Sequence, residues 1–272
     1  MNPDFQEYIL QQLQANLAQH ELPVPHKLYR ATRLLAKARA QLIYQQLLAW
    51  NGPLVRSGPF QGLRLTVPIT EGCSVPKLLG CYEAELHPVI ERWPANSYRQ
   101  VIDVGCAEGY YAVGLARLLP TAKVLACDTN PPAQASCQKL AEANLAQNRL
   151  RVSGAFSPGD FQAFAGQRTL VVCDIEGAEL QLLDPAQAPA LAEFDILVEM
   201  HDVFQADLSR QLLARFQGTH LIEVIPCHGM RDFTRFPELE RIEPLDRLLA
   251  IWEWRSGPTP WAWLRARSSN PA

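Results

Sequence analysis

The stretch that decides the fold is VIDVGCAEGYYAVGLA at residues 101–116, in which an apolar run leads into two glycines and then into a second apolar run. The first run is typical of a buried strand, and the second has the spacing of a helix. Gly105 and Gly109 predict a tight loop that presents backbone N–H groups to a ligand at the helix N-terminus. Such a strand–loop–helix unit indicates an α/β protein with a parallel sheet.

The spacing of the two glycines favours one class of cofactor. A dinucleotide-binding loop has the pattern GxGxxG, which lets the backbone approach a pyrophosphate, whereas here Cys106, Ala107 and Glu108 separate the glycines. Negative charges at Asp103 and Glu108 would repel a pyrophosphate, but they can orient the cationic amino-acid end of S-adenosylmethionine (SAM). The charge pattern therefore predicts SAM rather than NAD.

A second acid follows the next predicted strand. Asp128 stands nineteen residues after Gly109, where a carboxylate can accept hydrogen bonds from both ribose hydroxyls. After the third predicted strand, Ala155 and Phe156 stand where the adenine ring is expected, although Phe156 could equally belong to the core. Each acid taken alone also fits a capping or turn role. The predicted cofactor-binding residues of this region are Asp103, Gly105, Cys106, Ala107, Gly109, Asp128, Ala155 and Phe156.

Outward from this unit, predicted strands alternate with helices nearly to the end of the chain. The strands are predicted at 100–104, 122–127, 150–153, 169–174, 194–200, 219–225 and 248–254. This alternation predicts a Rossmann-like, seven-stranded class I methyltransferase sheet with helices on both faces, in which the last two strands form an antiparallel pair. Residues 71–260 are assigned to this domain, and residues 261–272 to a C-terminal tail anchored by Trp261 and Trp263.

Residues 1–70 are predicted to form a helical extension followed by an irregular collar. Apolar residues recur every three or four positions over 3–19 and 27–49, which predicts two amphipathic helices separated by prolines. Seven Lys and Arg but no Asp or Glu occur between residues 22 and 70. This basic segment is interpreted either as a lid or docking face for an anionic substrate, or as a solvated helix face. A homodimer contact through these helices is a further expectation.

The composition argues against several classes of protein. Hydrophobic residues make up 48% of the chain, charged residues 19%, and the net charge is −3, so the chain is globular and nucleic acid is not an expected partner. Neither a signal peptide nor an apolar stretch of membrane-spanning length is recognised. The seven cysteines form no CxxC pair and indicate a reducing compartment. We therefore expect a cytoplasmic protein without a membrane partner.

Two further strand ends carry candidate acceptor chemistry. Asp174 follows the fourth predicted strand with Glu176 two positions later, and Glu199 ends the fifth with His201 two positions later. Adjacent strands lie about 5 Å apart, so these side chains are expected to converge. Asp174, Glu176 and His201 are the candidate catalytic residues. Asp174, Glu199 and His201 are the candidate ligands of Mg²⁺ or another divalent cation.

Crowded carboxylates are costly unless a cation binds them or one of them is protonated, and either arrangement would assist methyl transfer to a hydroxyl. An alcohol must lose its proton as it attacks a methyl group, which a metal or a general base promotes. The alternatives are helix-capping roles for Asp174 and Glu176, and a structural role for His201. The chain lacks the Asn-Pro-Pro-Tyr type of sequence found in many amide-nitrogen and nucleobase methyltransferases. Oxygen of a small molecule, sugar or natural product is therefore the predicted acceptor, with a protein or peptide side chain, or a non-catalytic binding module, as alternatives.

These motifs resemble the FkbM-type family of class I SAM-dependent methyltransferases over roughly residues 54–255. The resemblance is carried by KLLGCYEAELHPVIE at 77–91, the glycine loop, DIEGAELQLL at 174–183 and ILVEMHD at 196–202. Because that family is associated mainly with O-methylation of natural products and sugars, the resemblance implies this reaction. It further implies that Tyr82 and Glu83 close over the cofactor. Some related O-methyltransferases bind magnesium at the same two strand ends.

The loop departs from the family pattern at one point. Family members often read Gly-Ala-Asn-x-Gly where this chain has Gly-Cys-Ala-Glu-Gly at 105–109. The resemblance therefore implies a SAM site on Asp103, Gly105, Gly109 and Asp128, but it implies no role for Glu108.

Overall fold

Seven strands form a single sheet in the computed structural model, which describes residues 3–67, 73–228, 231–255 and 257–267. The strands are β1 (Gln100–Val104), β2 (Lys123–Cys127), β3 (Leu150–Ser153), β4 (Thr169–Cys173), β5 (Asp195–Glu199), β6 (His220–Ile225) and β7 (Trp261–Ala266). Their spatial order is β3-β2-β1-β4-β5-β7-β6, and only β7 runs antiparallel to its neighbours. The predicted class I methyltransferase fold is confirmed.

Helices cover both faces of this sheet. The α-helices are α1 (Pro3–Leu17), α2 (Val24–Asn51), α3 (Ser74–Leu79), α4 (His87–Ile90), α5 (Tyr110–Leu118), α6 (Pro131–Ala143), α7 (Glu179–Leu182), α8 (Leu208–Phe216) and α9 (Pro244–Ala250). Short 3-10 helices occur at Ala84–Leu86, Trp93–Asn96, Pro158–Phe164, Pro189–Glu193, Phe233–Arg235 and Pro237–Arg241. No helix within the described ranges combines the length and apolar character needed to cross a membrane.

The alternation of side chains along each strand divides the core between the two faces. On β1, Val101 packs into the cluster that contains residues of α5 and α6, whereas Ile102 packs into the cluster that contains residues of α8. Every residue of β1, β4 and β5 is buried, as expected for strands covered on both sides.

The N-terminal extension is part of this core. Both predicted helices are present, as α1 and α2, and α2 contributes Ile43, Tyr44 and Leu47 to the larger cluster. A guanidinium–carboxylate pair between Arg39 and Asp246, with N–O distances of 2.6 and 2.8 Å, ties α2 to α9. The collar that follows is irregular, with one isolated antiparallel bridge between Leu54 and Arg64.

The last strand lies at a different place from the one predicted. Residues 248–254 form no strand, because Pro244–Ala250 is a helix that begins with a proline at its first position, where proline favours helix. Residues 261–266, assigned to a tail by the sequence analysis, instead form β7 between β5 and β6, with five of six residues buried. A short apolar run such as 248–254 fits a helix and a strand equally well, which explains the error.

The backbone approaches itself most closely where the glycine loop meets the end of β4. Gly105 has φ +88°, and a Cβ placed on it would lie 1.6 Å from the carbonyl oxygen of Asp174. Only a residue without a side chain fits this position. The contact holds the ends of the adjacent strands β1 and β4 together.

We expect Gly105→Ala to lower the free energy of unfolding by roughly 3 kcal/mol or more, because the new methyl group would overlap the Asp174 carbonyl. Gly166→Ala is the matched control: Gly166 also has a positive φ, of 72°, but nothing lies within 4 Å of its Cβ position. Gly166→Ala should lower the free energy of unfolding by only about 1 kcal/mol, from backbone strain alone. Urea unfolding measures both values, and equal losses would contradict the close approach.

Candidate functional site

The glycine loop that follows β1 is held by backbone geometry and by Asp128. Gly105, Ala107 and Gly109 all have positive φ, which turns the chain sharply before α5. The Ala107 N–H donates to Oδ2 of Asp128 at 2.9 Å, and the Asn130 N–H donates to Oδ1 at 2.8 Å. The carboxylate after β2 therefore shapes the loop after β1.

A cleft of 570 Å³ opens at the carboxyl ends of β1 to β4. Five of the predicted cofactor residues line it: Gly105, Ala107, Asp128, Ala155 and Phe156. Half of the remaining lining residues come from the segment after β4, namely Asp174, Ile175, Glu176, Ala178, Gln181 and Leu182. Ligands of open α/β sheets bind at this edge, so the cleft is the candidate cofactor site.

Three of the other predicted cofactor residues lie deeper in the structure. Asp103 and Cys106 are buried and line a chamber of about 20 Å³, which shares Gly105 and Ala107 with the cleft. Gly109 is absent from both linings and packs against α6, where an added Cβ would lie 2.7 Å from Sγ of Cys137. Gly109 is therefore required for packing of the loop.

Glu83 does not reach the cleft, contrary to the role that the resemblance implies. It is completely buried, its carboxylate accepts hydrogen bonds from the Tyr111 hydroxyl and from Arg255, and its N–H donates to Glu253. Burial raises the pKa of Glu83 to about 8, and the nearby charge of Glu199 acts in the same direction. Its neighbour Tyr82, by contrast, lines the small chamber.

Glu108 also faces the interior rather than the cleft. Its side chain accepts a hydrogen bond of 2.6 Å from Nζ of Lys77, and both side chains are almost completely buried. Because this pair neutralises the charge, Glu108 does not present a carboxylate to a cofactor as the loop sequence suggested. The electrostatic argument for SAM, which was based on Asp103 and Glu108, therefore depends on Asp103 alone.

A second pocket, of 130 Å³, adjoins the cleft and is called the acceptor pocket below. It contains all four acceptor-side residues predicted from the strand ends, and shares two of them, Asp174 and Glu176, with the cleft. Its complete lining is Cys73, Tyr82, Asp174, Glu176, Glu199, His201, Val203, Phe204, Glu253, Trp254, Arg255 and Thr259.

His201 is oriented by an acid that the sequence analysis missed. Its Nδ1 lies 2.7 Å from Oε1 of Glu179, a completely buried residue at the start of α7. Nε2 lies 3.6 Å from Asp174 and 3.5 Å from Glu199. Burial lowers the pKa of His201, but the Glu179 hydrogen bond and the surrounding carboxylate charges outweigh it and raise the pKa overall. The available signal was the third acid of DIEGAE at 174–179.

The ligand set predicted for a metal changes by one residue. One ligand atom each from Asp174, Glu176 and His201 lie within 4.8 Å of one another. Glu199 was the third predicted ligand instead of Glu176, but one of its oxygens is bound by Arg255. Glu176 reaches the group through a turn in which it and Gly177 both have positive φ.

Arg255 is the second site residue that the sequence analysis missed. Its guanidinium donates to Glu83 at 2.8 Å, to Glu199, and to the Thr259 hydroxyl at 2.6 Å. Burial alone would lower the pKa of Arg255, but the negative charges of Glu83 and Glu199 together outweigh it and raise the pKa. Arg255 therefore stays cationic. No local motif marks Arg255, because its partners lie 56 and 172 residues away.

Three solved structures illustrate what the chain is similar to. The SAM-bound O-methyltransferase TomG from Streptomyces achromogenes is 12% identical, with 85% of this chain and 89% of that chain covered and a TM-score of 0.47. An O-methyltransferase from Bacillus cereus in complex with SAH is 11% identical (98% and 92% covered, TM-score 0.45). A SAM-dependent O-methyltransferase from Thermotoga maritima is 15% identical (66% and 64% covered, TM-score 0.43). At these TM-scores the likenesses support no further conclusion.

One sequence comparison found a match, and it lies in the half of the sheet that carries the glycine loop. No curated protein matches the chain. Residues 88–168 match the family model of the methyltransferase small domain, and this segment contains β1, β2, β3, the glycine loop and Asp128. The match covers less than a third of the chain, so this segment is similar to a methyltransferase domain, and the strand order is that of the class I methyltransferase fold.

Proposed function

We propose that this chain transfers the methyl group of SAM to a hydroxyl oxygen of a small-molecule, sugar or natural-product acceptor, the reaction implied by the FkbM resemblance. One observation carries the proposal: Asp174 and Glu176 line both the cofactor cleft and the acceptor pocket. A methyl donor in the first and a hydroxyl in the second would meet at these two side chains. SAM, when bound, supplies the electrophilic methyl group.

The cleft suits SAM in size and chemistry. Its 570 Å³ is within the usual range for small-molecule sites. Asp128 stands at the end of β2, where it would accept hydrogen bonds from the ribose, and Phe156 would pack against the adenine. Gly105, which lines the cleft, and Asp103, which is buried behind it, would bind the amino-acid end.

On the acceptor side, His201 would take the hydroxyl proton. Glu179 fixes the ring through Nδ1, which leaves Nε2 directed toward Asp174 and Glu199 at the junction of the two pockets. A histidine oriented in this way can act as a general base. Tyr82, Phe204 and Trp254 supply apolar walls for the rest of the acceptor.

A divalent cation fits the same junction. Asp174, Glu176 and His201 would hold it, because the three ligand atoms lie within 4.8 Å of one another. The two carboxylates suit Mg²⁺ or Mn²⁺, and the imidazole favours a transition-metal ion over Mg²⁺. The cation would act as a Lewis acid toward the acceptor oxygen. Because Nδ1 of His201 is bound by Glu179, Nε2 would serve either as the base or as a metal ligand, so the two roles are alternatives.

The N-terminal helices support a second candidate, a protein or peptide acceptor. Leu28, Tyr29 and Leu35 on α2 are 58%, 61% and 47% exposed, and Arg30 and Lys37 stand close to them in sequence. Such a surface would also suit the proposed homodimer contact. Methyl label recovered on protein rather than on a small hydroxylated compound would favour the second candidate.

Asp128→Asn should weaken SAM binding about tenfold, because a hydrogen bond to a charged group contributes roughly 1.5–3 kcal/mol. Asp184→Asn is the matched control, since Asp184 accepts a similar local N–H bond, from Ala186, but does not line the cleft. Calorimetry with SAM measures both affinities. Unchanged affinity in Asp128→Asn would place the ribose elsewhere, and absence of SAM binding by the wild type would refute the proposed function.

His201→Gln should lower turnover about 100-fold or more, while SAM affinity stays within about threefold, because the lost group acts on the proton and not on the cofactor. Glu179→Gln keeps an oxygen acceptor for Nδ1 and should be less severe. Release of SAH with a panel of hydroxylated sugars and natural products measures turnover. A His201→Gln enzyme that turns over at the wild-type rate would rule out the general base.

Mn²⁺ should bind to the wild type, and Asp174→Asn should weaken that binding about tenfold or more, because a carboxylate ligand is lost. Glu199→Gln distinguishes the two ligand sets, since Glu199 belongs only to the set predicted from sequence. The electron paramagnetic resonance signal of free Mn²⁺ reports binding directly. If Glu199→Gln loses more Mn²⁺ affinity than Glu176→Gln does, the third ligand is Glu199 and not Glu176. If the wild type does not bind Mn²⁺, the proposed metal site is wrong.

A further inference from the structure

A second large cavity lies at the amino-terminal ends of the parallel strands, opposite the cofactor cleft. It has a volume of 420 Å³ and is lined by Val89, Arg92, Trp93, Ala95, Asn96, Ser97, Arg168, Asp195, Trp263, Arg265 and Ala266. Ser97 and Arg168 stand just before β1 and β4, and Asp195 begins β5. The cofactor cleft is at the other ends of these strands, roughly 15 Å away for strands of this length. The cavity is therefore separate from the proposed methyl-transfer site.

The charged groups around this cavity are mostly cationic. Three arginines, Arg92, Arg168 and Arg265, line it together with one acid, Asp195, which leaves an excess of two positive charges. Asp195 is almost completely buried, and both of its oxygens accept hydrogen bonds. Oδ1 accepts from the Ala266 N–H at 2.9 Å, and Oδ2 accepts from the Tyr98 hydroxyl at 2.5 Å and from Arg168 at 2.7 Å.

Two residues of the cavity wall carry buried donor atoms without a hydrogen-bond partner in the described part of the chain. Nε1 of Trp93 and Nη1 of Arg168 are buried, and the described part of the chain offers neither of them an acceptor. The guanidinium of Arg168 also stacks over the ring of Tyr98, 4.8 Å from its centre, which fixes its plane. Arg92 makes only a loose, exposed pair with Glu223, at 3.7 Å. The wall therefore matches a ligand that brings negative charge and several acceptor atoms.

We propose that this cavity binds a small phosphorylated metabolite through its phosphate group. A phosphate brings three acceptor oxygens and a charge near −2, and planar guanidinium groups are well suited to bind it. The indoles of Trp93 and Trp263, with ring centres 5.5 Å apart, provide an apolar wall for the remainder of the molecule. A concave cavity of this volume suits a small molecule rather than a macromolecular surface. The proposal is independent of the methyl-transfer reaction.

Inorganic phosphate is the probe for this site, and the tryptophan indole N–H signals of the ¹⁵N-labelled full chain report its binding. Trp93→Phe removes one of six indole signals and so assigns it. During titration with phosphate, against chloride at equal ionic strength, the Trp93 signal should shift and saturate. Arg265→Gln changes an exposed lining residue and should weaken phosphate binding about tenfold through loss of a charged hydrogen bond.

Arg99→Gln is the charge-matched control, because Arg99 is exposed and close in sequence to the cavity but does not line it. Its phosphate affinity should stay within about twofold of the wild type, because an exposed charge outside the cavity wall is screened by salt and makes no hydrogen bond to the phosphate. Arg92→Gln is a second lining variant if Arg265→Gln fails to fold, which the remaining indole signals would show. A Trp93 signal that does not saturate, or equal weakening in Arg99→Gln, would overturn the proposal.

Discussion

The contact between Gly105 and the carbonyl of Asp174 is the constraint on which the proposed site depends. It draws the end of β1 against the end of β4, closer than any side chain would permit. The same contact places the cofactor loop beside the segment that carries Asp174 and Glu176. Asp128 secures the other side of the loop through the Ala107 N–H. Cofactor cleft and acceptor pocket are thus joined by backbone packing before any ligand binds.

Charge compensation separates the acids around this site into two groups. Glu108 and Glu83 are buried and matched by Lys77 and Arg255, so they stabilise the wall of the site. Asp174 and Glu176 instead border both pockets. Burying a carboxylate without a partner would cost several kcal/mol, which explains why Glu108 and Glu83 each have a cation beside them. Sequence position alone does not distinguish the two groups.

Local pattern was sufficient to predict much of the fold. The first six strands and the glycine loop follow from periodicity and spacing within short windows. The hydrogen bond from Ala107 to Asp128 was not predicted, and ribose binding by Asp128 stays a prediction. The errors lie where distant segments decide the outcome. β7 is a strand because β5 and β6 pair with it, and Arg255 belongs to the site because it meets Glu199. The orientation of Glu83 and Glu108 likewise depends on partners elsewhere in the chain, which periodicity does not reveal.

The position of β7 also has a consequence for biosynthesis. It is the last strand to leave the ribosome, yet it lies between β5 and β6. Until residues 261–266 emerge, the nascent chain keeps one edge of β5 and one edge of β6 without their native neighbour. Unpaired edges of this kind invite association with other chains. The sheet therefore reaches its native strand order only after residues 261–266 have been synthesised.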